Sequence, residues 1–372
     1  MWLEQTLAAL TVATAATVAA LCLVPLARRL AHRFGALDRP SARKIHVVPM
    51  PRSGGIAVYA AFVMTVAVGY LLLPHVREIA WLRPYLGAAL DIARDAHRVE
   101  GKLLALIIGS TIAFLVGLAD DLFGERFHVG LKVGGQIAAA LVLISSGVRT
   151  SFLPNEWLNA AVTLVWLVGI TNAFNLLDNM DGLCAGVAFV AAGILFINAW
   201  ALGEFLIGVL ALAFMGSLLG FLVFNFHPAS IFLGDCGSLF IGFVMASLTL
   251  LERYVTRASS TLFPVLMPVL VLAVPLVDTL TVVVIRVRER RPIYVGDRRH
   301  LSHRLLALGF SQKAAALFLY LATFCFGLGA LLLPHAGRAA TILILTQAVG
   351  FVALMLLLMF TDRGKARRDG AA

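Results

Sequence analysis

Charged residues are scarce in this chain. Only 13% of its 372 residues are Asp, Glu, Lys or Arg and 60% are hydrophobic, whereas about 25% of a typical soluble globular chain is charged. Acidic residues are the scarcer kind, 20 against 30 Lys and Arg. This composition excludes an ordinary soluble domain, a disordered segment, a collagen and a coiled coil. In a chain this apolar, the net charge of +10 is evidence about which loops of a membrane protein hold the basic residues. It does not indicate nucleic-acid binding.

Cysteine is also scarce, with four residues in the whole chain. So few cysteines exclude a disulfide scaffold, because such scaffolds are dense in Cys. None of the four has the spacing of a metal site; they are Cys22, Cys184, Cys236 and Cys325. We interpret them as small apolar residues within helices.

Long apolar runs dominate what is present. A membrane-spanning helix needs about 20 mostly apolar residues, and only helices or closed barrels satisfy their backbone groups in lipid. We predict an all-α polytopic membrane protein with 10–11 transmembrane helices, folded as a single domain over residues 1–372. The eleven predicted spans lie near 4–26, 55–74, 102–119, 130–147, 157–174, 183–202, 204–223, 237–251, 262–285, 314–333 and 339–361.

The basic residues predict which loops are cytoplasmic. One set of loops, with the adjoining helix ends, holds 21 of the 30 Lys and Arg, and cytoplasmic loops carry the excess of these residues. We therefore predict that the N-terminus lies outside and the C-terminus in the cytoplasm. The predicted cytoplasmic set is 27–54, 120–130, 175–183, 224–236, 286–312 and the tail after 361.

Two adjacent carboxylates end the third predicted span. Asp120 and Asp121 lie in the segment GLADDLFG, and like charges so close need a cation or a shared proton. A divalent cation such as Mg²⁺ meets that need because it prefers hard oxygen ligands. Solvated acids at a helix terminus are the structural alternative, and this pair alone leaves the two interpretations open.

A row of amides and carboxylates follows the fifth predicted span. Asn172, Asn175, Asp178 and Asp181 recur every three residues. On one continuous helix each step of three turns back by about 60°, so the row would cover about half the circumference. Such residues lower helix propensity and need partners in lipid, which indicates a functional site. Capping of the helix before Gly182 is the structural alternative.

Two further carboxylates have unusual surroundings. Asp235 lies between Gly234 and Gly237, and glycines allow backbone to approach a ligand closely. A role as helix N-cap is its structural alternative. Asp278 lies well within the ninth predicted span, and we expect it to pair with another helix.

Basic residues of the predicted cytoplasmic loops complete the candidate site. Lys44, His46 and Arg52 lie in the first such loop, and the segment HLSHR carries His300, His303 and Arg304. Arg suits bidentate contact with phosphate. A zinc site at the two histidines is rejected, because no third or fourth His or Cys ligand lies nearby. Carboxylates beside phosphate-binding cations suit phosphoryl transfer, with a lipid phosphate and a soluble nucleotide as the expected substrates.

Five of these segments, in order, resemble the polyprenyl-phosphate N-acetylhexosamine-1-phosphate transferases, which are related to the phospho-N-acetylmuramoyl-pentapeptide transferases. The resemblance covers about residues 38–310. Its motifs are RKIH (43–46) with PRSGG (51–55), Asp120-Asp121, 172–183, 225–239 and 300–305.

The resemblance implies the reaction. N-acetylhexosamine 1-phosphate, with N-acetylglucosamine (GlcNAc) as the expected sugar, would pass from a UDP-sugar to undecaprenyl or another polyprenyl phosphate and release UMP. The cofactor would be Mg²⁺, with Mn²⁺ as the other candidate cation. The enzyme would lie in the bacterial inner membrane with its active site on the cytoplasmic face, and it would make the first membrane intermediate of an envelope polysaccharide.

The resemblance also implies residue roles. Asp235 and Asn175 would be metal ligands, while Asp120 and Asp121 would act at the lipid phosphate as bases or as positioners. His300 and His303 would stabilise charge during transfer. The remaining candidates would bind substrate, namely Asn172, Asp178, Asp181, Arg304, Lys44, His46 and Arg52.

Three positions depart from the pattern of the N-acetylglucosamine 1-phosphate branch. Ser302 replaces one histidine of the usual His-x-His-His string, Asn179 stands where Gly is common, and Cys236 stands where Thr is common. Two other functions remain in view. A lipid flippase would need polar groups near mid-bilayer in paired halves, and a non-catalytic scaffold would leave the ordered carboxylates unexplained. The sequence leaves open whether two copies form a homodimer.

Overall fold

The computed structural model describes residues 2–34, 37–38, 49–76, 100–255, 259, 262–292 and 299–360. Two candidate residues, Lys44 and His46, lie outside the described residues. The fold is all-α, as predicted, apart from one antiparallel pairing of two-residue strands, β1 (Leu37–Asp38) and β2 (Met50–Pro51).

The helices follow the predicted spans closely. They are α1 (Trp2–Phe34), α2 (Gly54–Val76), α3 (Glu100–Phe123), α4 (Val129–Ser145), α5 (Glu156–Leu177), α6 (Leu183–Ala201), α7 (Phe205–Asn225), α8 (Gly234–Leu251), α9 (Met267–Val271), α10 (Ala273–Arg288), α11 (Leu301–Ala307), α12 (Gln312–Leu332) and α13 (Arg338–Phe360).

Nine helices in the described ranges are long and apolar enough to cross a membrane. A tenth span is broken: Phe263–Val271 and Ala273–Arg288 meet at 73°. The remaining predicted span corresponds to α4, an apolar helix of 17 residues. The chain is therefore a polytopic membrane protein of the predicted class, and the sidedness of its termini stays a prediction.

Helix α8 lies at the centre of the bundle. Its membrane window is 83% buried, whereas that of α13 is 11% buried. Phe240 of α8 packs edge-on against Tyr59 and Phe214, with ring centroids 5.5 and 6.2 Å apart. Tyr59 in turn stacks on Phe114 of α3 at 4.1 Å. These packed aromatic rings hold α8 rigidly in the bundle, and the residues at its N-terminus are thereby held in place.

Small residues bring the first helix against α7. A Cβ added at Gly220 would lie 2.6 Å from the Thr17 carbonyl oxygen and from the Ala20 side chain. The backbones of the two helices thus approach more closely than larger side chains permit, which is typical of helix contacts in membranes.

Candidate functional site

The candidate residues gather at one end of the bundle, which we call the motif end. It is defined by the C-termini of α3 and α5, near Phe123 and Leu177, and by the N-termini of α2, α8 and α11. The distances below join residues from these elements.

Asp121 connects α3 to the start of α8. Its carboxylate accepts hydrogen bonds from the backbone N–H groups of Asp235, at 3.0 Å, and of Cys236, at 2.9 Å. The first N–H groups of a helix have no partner within the helix, so Asp121 caps α8 from another helix. This contact holds the carboxylate of Asp235 beside those of Asp120 and Asp121.

Two glycines permit this close approach. Gly234 has φ +77°, and a Cβ there would lie 2.6 Å from the Arg52 carbonyl oxygen and 2.7 Å from Asp121 Oδ2. A Cβ on Gly117 of α3 would overlap the backbone of Asp235. The glycine before Asp235 is therefore needed both for its left-handed backbone and for space.

Asn175 of α5 joins the same group. Its Nδ2 donates to Asp235 Oδ1 at 2.6 Å and to Ser238 Oγ at 2.8 Å. The amide thereby orients the Asp235 carboxylate and leaves its own Oδ1 facing the cluster. Asp120, Asp121, Asn175 and Asp235 come from three helices, and the structure brings all four together.

Lys132 of α4 lies among these oxygens, and sequence reasoning did not select it. Its Nζ donates to Asp120 Oδ2 at 2.6 Å and to Asn175 Oδ1 at 3.1 Å, and lies 3.7 Å from Asp235 Oδ1. A lysine three residues into an apolar run was an available signal, because charges within membrane segments mark functional sites. Its place near a helix end also makes it one of the basic residues that predict topology.

Arg52 supplies a second cation. Its guanidinium lies 3.6 Å from Asp121 Oδ1 and 4.0 Å from Asp235 Oδ2. Backbone hydrogen bonds hold this segment against the loop before α8, including Gly54 N–H to the Phe232 carbonyl at 2.9 Å. The site thus combines three carboxylates with one ammonium and one guanidinium.

The row from Asn172 to Asp181 does not lie on one helix, because its last two members fall within the predicted 175–183 loop. Helix α5 ends at Leu177, Asp178 is its C-cap, and Asp181 lies in the turn before α6. The turn ends at Gly182, which has a φ of +71° and is the N-cap residue of α6. Because the helix ends there, Asp178 and Asp181 do not continue the helical positions of Asn172 and Asn175.

The carboxyl groups of Asp178 and Asp181 have different surroundings in this turn. Burial, followed by the charge of Asp235, raises the pKa of Asp178 to about 8. Asp181 Oδ2 is 2.8 Å from His227 Nδ1 and accepts from the Ala229 N–H at 3.1 Å. His227 is a second residue that sequence reasoning missed, and a lone histidine in a loop gave no signal.

Asn172 is engaged elsewhere. Its Nδ2 donates to Gln136 Oε1 of α4 at 2.5 Å and to the Val168 carbonyl at 2.8 Å. This pair links α4 to α5 one turn away from Asn175. The observed contact is therefore between helices, and it supports the position of Lys132 on α4.

The late basic segment forms the short helix α11. His300 is its N-cap residue and is buried, with Nδ1 2.7 Å from Asp278 Oδ2. Asp278 thus pairs with another element, as expected from its place in a span. His303 and Arg304 follow on α11 and are half-buried, and the rings of His300 and His303 are 6.5 Å apart.

Comparison with known proteins identifies the family. The model described as glycosyl transferase family 4 matches residues 103–252, which include Asp120, Asp121, Asn175 and Asp235. A Bacillus subtilis (strain 168) protein named "Probable undecaprenyl-phosphate N-acetylglucosaminyl 1-phosphate transferase" is 33% identical over 325 residues, covering 85% of this chain and 82% of that protein. The chain belongs to glycosyl transferase family 4.

Two further relatives of this family 4 chain have related names. The "Decaprenyl-phosphate N-acetylglucosaminephosphotransferase" of Mycolicibacterium smegmatis is 31% identical over 361 residues, covering 89% of this chain and 84% of that protein. The "Undecaprenyl-phosphate alpha-N-acetylglucosaminyl 1-phosphate transferase" of Escherichia coli (strain K12) is 27% identical, with 80% and 76% covered. The resemblance predicted from the five motifs is confirmed.

The donor chemistry of the family 4 site fits a hard divalent cation. Within the described ranges, no three His, Cys, Asp or Glu side chains form a closed metal cage. Mg²⁺ however usually takes one or two carboxylates together with substrate phosphates. Oxygens of Asp120, Asn175 and Asp235 already converge on one positive group, the Lys132 ammonium, so these oxygens can hold a cation.

Proposed function

We propose that this chain transfers N-acetylglucosamine 1-phosphate from UDP-N-acetylglucosamine to a polyprenyl phosphate, releasing UMP. An oxygen of the lipid phosphate bonds to the β-phosphorus of the nucleotide sugar. The bond from that phosphorus to the oxygen bridging to the α-phosphate breaks, and UMP leaves with that oxygen. The relatives described above are named as enzymes of this kind of transfer.

One observation carries the proposal: three carboxylates and two cations converge at the motif end. The distances that define it are 2.6 Å from Lys132 to Asp120 and 3.6 Å from Arg52 to Asp121. Phosphoryl transfer depends chiefly on positioning and on neutralising charge. A site with fixed cations for phosphate oxygens and fixed carboxylates for a metal matches that requirement.

The contacts suggest a division of roles between the adjacent aspartates. Both Asp121 oxygens accept backbone hydrogen bonds from α8, so Asp121 is suited to hold Asp235 in place. Asp120 contacts the mobile end of a lysine side chain, at 2.6 Å. We therefore assign Asp120 to the lipid phosphate and Asp121 to positioning.

Asp235 and Asn175 would hold Mg²⁺, or Mn²⁺ in its place, and the bound ion would neutralise charge on the diphosphate. Lys132 and Arg52 would bind phosphate oxygens beside Asp235, since each lies within 4.0 Å of a different oxygen of that carboxylate. Asp178 and Asp181 would line the nucleotide-sugar side, and His303 and Arg304 of α11 would approach the diphosphate. His300 belongs to the same segment and is buried against Asp278.

An apolar groove offers room for the lipid. It has a volume of about 470 Å³ and lies between α5 and the bent helix α10. Trp166, Gly169 and Ala173 line it from α5, and Leu276 and Leu280 line it from α10. Asn175 follows Ala173 by two residues on the same helix, so a chain in this groove leads toward the charged cluster.

The proposed location follows from the charge pattern. The sequence segments that carry the motifs belong to the loop set richest in Lys and Arg, which by the positive-inside rule supports a site on the cytoplasmic face of a bacterial inner membrane. UDP-sugars are soluble nucleotides, and this face gives them access. The described polar cluster lies at one end of the bundle and not at its middle, which favours transfer over the flippase alternative.

Purified protein with UDP-GlcNAc, undecaprenyl phosphate and Mg²⁺ tests the proposal. We expect UMP release that depends on both substrates and on the cation, and a panel of UDP-sugars identifies the sugar. The Asp235→Ala variant is expected to lose turnover by about 100- to 1000-fold, the scale on which a key electrostatic group acts in catalysis.

The matched control is Glu156→Ala, which removes an exposed carboxylate at the opposite end of α5. It is expected to keep the wild-type rate. UMP release at an undiminished rate from the Asp235→Ala protein would overturn the metal assignment. Absence of turnover with every UDP-sugar in the wild type would overturn the proposed reaction.

A further inference from the structure

Three consecutive residues at the start of α11 are each held by a side chain from elsewhere in the fold. His300 Nδ1 is 2.7 Å from Asp278 Oδ2, and the Leu301 N–H donates to Asp278 Oδ1 at 2.6 Å. Ser302 Oγ donates to Asn179 Oδ1, also at 2.6 Å. Residues 300, 301 and 302 are thus anchored one after another.

The two Asp278 contacts are buried, and the Ser302–Asn179 contact is part-buried. Asp278, His300 and Ser302 have exposed fractions of 1%, 3% and 1%. Water therefore has little access to these three residues, and breaking one contact leaves a buried polar group without its partner. Asp278 is fixed on α10, and Asn179 is itself fixed because its Nδ2 donates to the Leu176 carbonyl at 2.9 Å.

Helix α11 needs such anchors. It has seven residues, and isolated helices of this length are unstable because nucleation is unfavourable. Its orientation must therefore come from tertiary contacts. The two anchoring side chains come from different places, Asp278 from the helix that lines the apolar groove and Asn179 from the turn that carries Asp178 and Asp181.

The anchored residues directly precede His303 and Arg304. Because α11 is a short helix of about two turns, fixing residues 300 to 302 also fixes the backbone that carries these two side chains. Ser302 and Asn179 are in addition two of the three positions at which the sequence departs from the pattern described above, and the structure places them in contact.

We infer that Asp278 and Asn179 are positioning residues of the transfer reaction, which hold α11 so that His303 and Arg304 meet the turn bearing Asp178 and Asp181. The inference rests on the proposed function. Neither residue needs to touch a substrate, since both act through α11. Asp278 links this helix to the lipid side of the site, and Asn179 links it to the nucleotide-sugar side.

A double-mutant cycle tests the Asn179 anchor. Asn179→Ala and Ser302→Ala are each expected to lower kcat about 3- to 10-fold, the value of one neutral hydrogen bond. Because both changes remove the same contact, the double variant is expected to be no slower than the slower single variant. Multiplicative losses would show that the two side chains act separately and would overturn this part of the inference.

Two substitutions of different severity test the Asp278 anchor. Asp278→Ala removes both acceptors, and we expect kcat to fall about 100-fold. Asp278→Asn retains an oxygen acceptor for the Leu301 N–H and is expected to recover about tenfold of that loss. The matched control on the same helix is Thr281→Ala, which removes a side-chain hydrogen bond to the Val277 carbonyl and is expected to stay within twofold of wild type.

Hydrogen–deuterium exchange in the full-length protein supplies a readout other than activity. Peptides covering 299–308 are expected to exchange faster in Asp278→Ala and Asn179→Ala than in wild type or in Thr281→Ala. Unchanged exchange in both anchor variants, or Asp278→Ala activity within twofold of wild type, would overturn the inference. A wild type inactive with every UDP-sugar would instead contradict the proposed function, and the exchange result would still decide whether the two side chains hold α11.

Discussion

Replacement of Lys132 by methionine tests how the site balances its charges. The substitution keeps the length and apolar stem of the side chain and removes the ammonium, which lies 2.6 Å from Asp120 Oδ2 and 3.7 Å from Asp235 Oδ1. Lys132→Met therefore leaves two carboxylates and the Asn175 amide oxygen converging on an apolar group. Phosphate oxygens arriving at the site would meet less positive charge.

The expected magnitude follows from these contacts. A hydrogen bond to a charged group contributes about 1.5–3 kcal/mol, and the ammonium makes two. The side chains of Lys132 and Asp120 are only 17% and 16% exposed, so solvent screening is modest. Two such contacts sum to about 3–6 kcal/mol; discounted for the screening that remains at partly exposed groups, the expected loss of transition-state stabilisation is about 2–4 kcal/mol, which corresponds to about 30- to 1000-fold in kcat/KM.

Steady-state UMP release at saturating lipid measures this effect. Lys313→Met is the matched control, because Lys313 is an exposed lysine in the first turn of α12, and we expect it to retain wild-type kcat/KM. The cycle with Asp120→Asn adds a second check, since two partners of one contact are expected to give non-additive losses. A Lys132→Met enzyme within threefold of wild type would refute the reasoning.

Three further predictions concern backbone, pH and lipid. Gly234→Ala is expected to lower the thermal unfolding midpoint in detergent and to reduce turnover, because left-handed backbone costs a residue with Cβ about 1–2 kcal/mol. The control Gly134→Ala, where a Cβ would meet open space, is expected to be neutral. Equal unfolding midpoints in the two variants would contradict the packing argument. Burial raises the pKa of Glu252 to about 8, so its stabilising contribution is complete below about pH 4.5 and is lost as the pH rises through about 8. Glu252→Gln is therefore expected to flatten the fall of unfolding midpoint between pH 6 and 9, and an unchanged slope would contradict this. Gly169→Leu places a side chain in the apolar groove and is expected to raise KM for polyprenyl phosphate several-fold while KM for the UDP-sugar stays unchanged. The control Gly350→Leu on α13 is expected to leave both KM values unchanged. Equal shifts of KM in the two variants would contradict the assignment of the lipid to this groove.

Most of the helical architecture could be predicted from the sequence. Apolar windows of about 20 residues have one stable arrangement in a membrane, and each predicted window corresponds to a described helix except 262–285, which is broken into two helices. Hydropathy does not fix where a helix ends among polar residues, however. After α5 ends at Leu177, the turn that carries Asp181 is held by contacts with His227 and Ala229, which lie far from it in sequence.

The candidate site was predictable as a set of residues but not as a geometry. Asp120, Asp121 and Asp235 stood out because carboxylates are costly at membrane helices. The separate roles of these residues could not be predicted from the sequence, because the capping of α8 by Asp121 joins positions 114 residues apart. Lys132 was overlooked for the opposite reason: a single basic residue near a helix end is also what membrane topology requires.

A labelled-phosphate experiment tests the central claim most directly. Wild-type protein is mixed with undecaprenyl phosphate, Mg²⁺ and UDP-GlcNAc carrying a radioactive β-phosphate, and the lipid and aqueous products are separated. Transfer of sugar 1-phosphate predicts that the label moves with the sugar into the lipid and that the released UMP is unlabelled. Label recovered in the aqueous phase as UDP, with sugar alone on the lipid, would contradict the account.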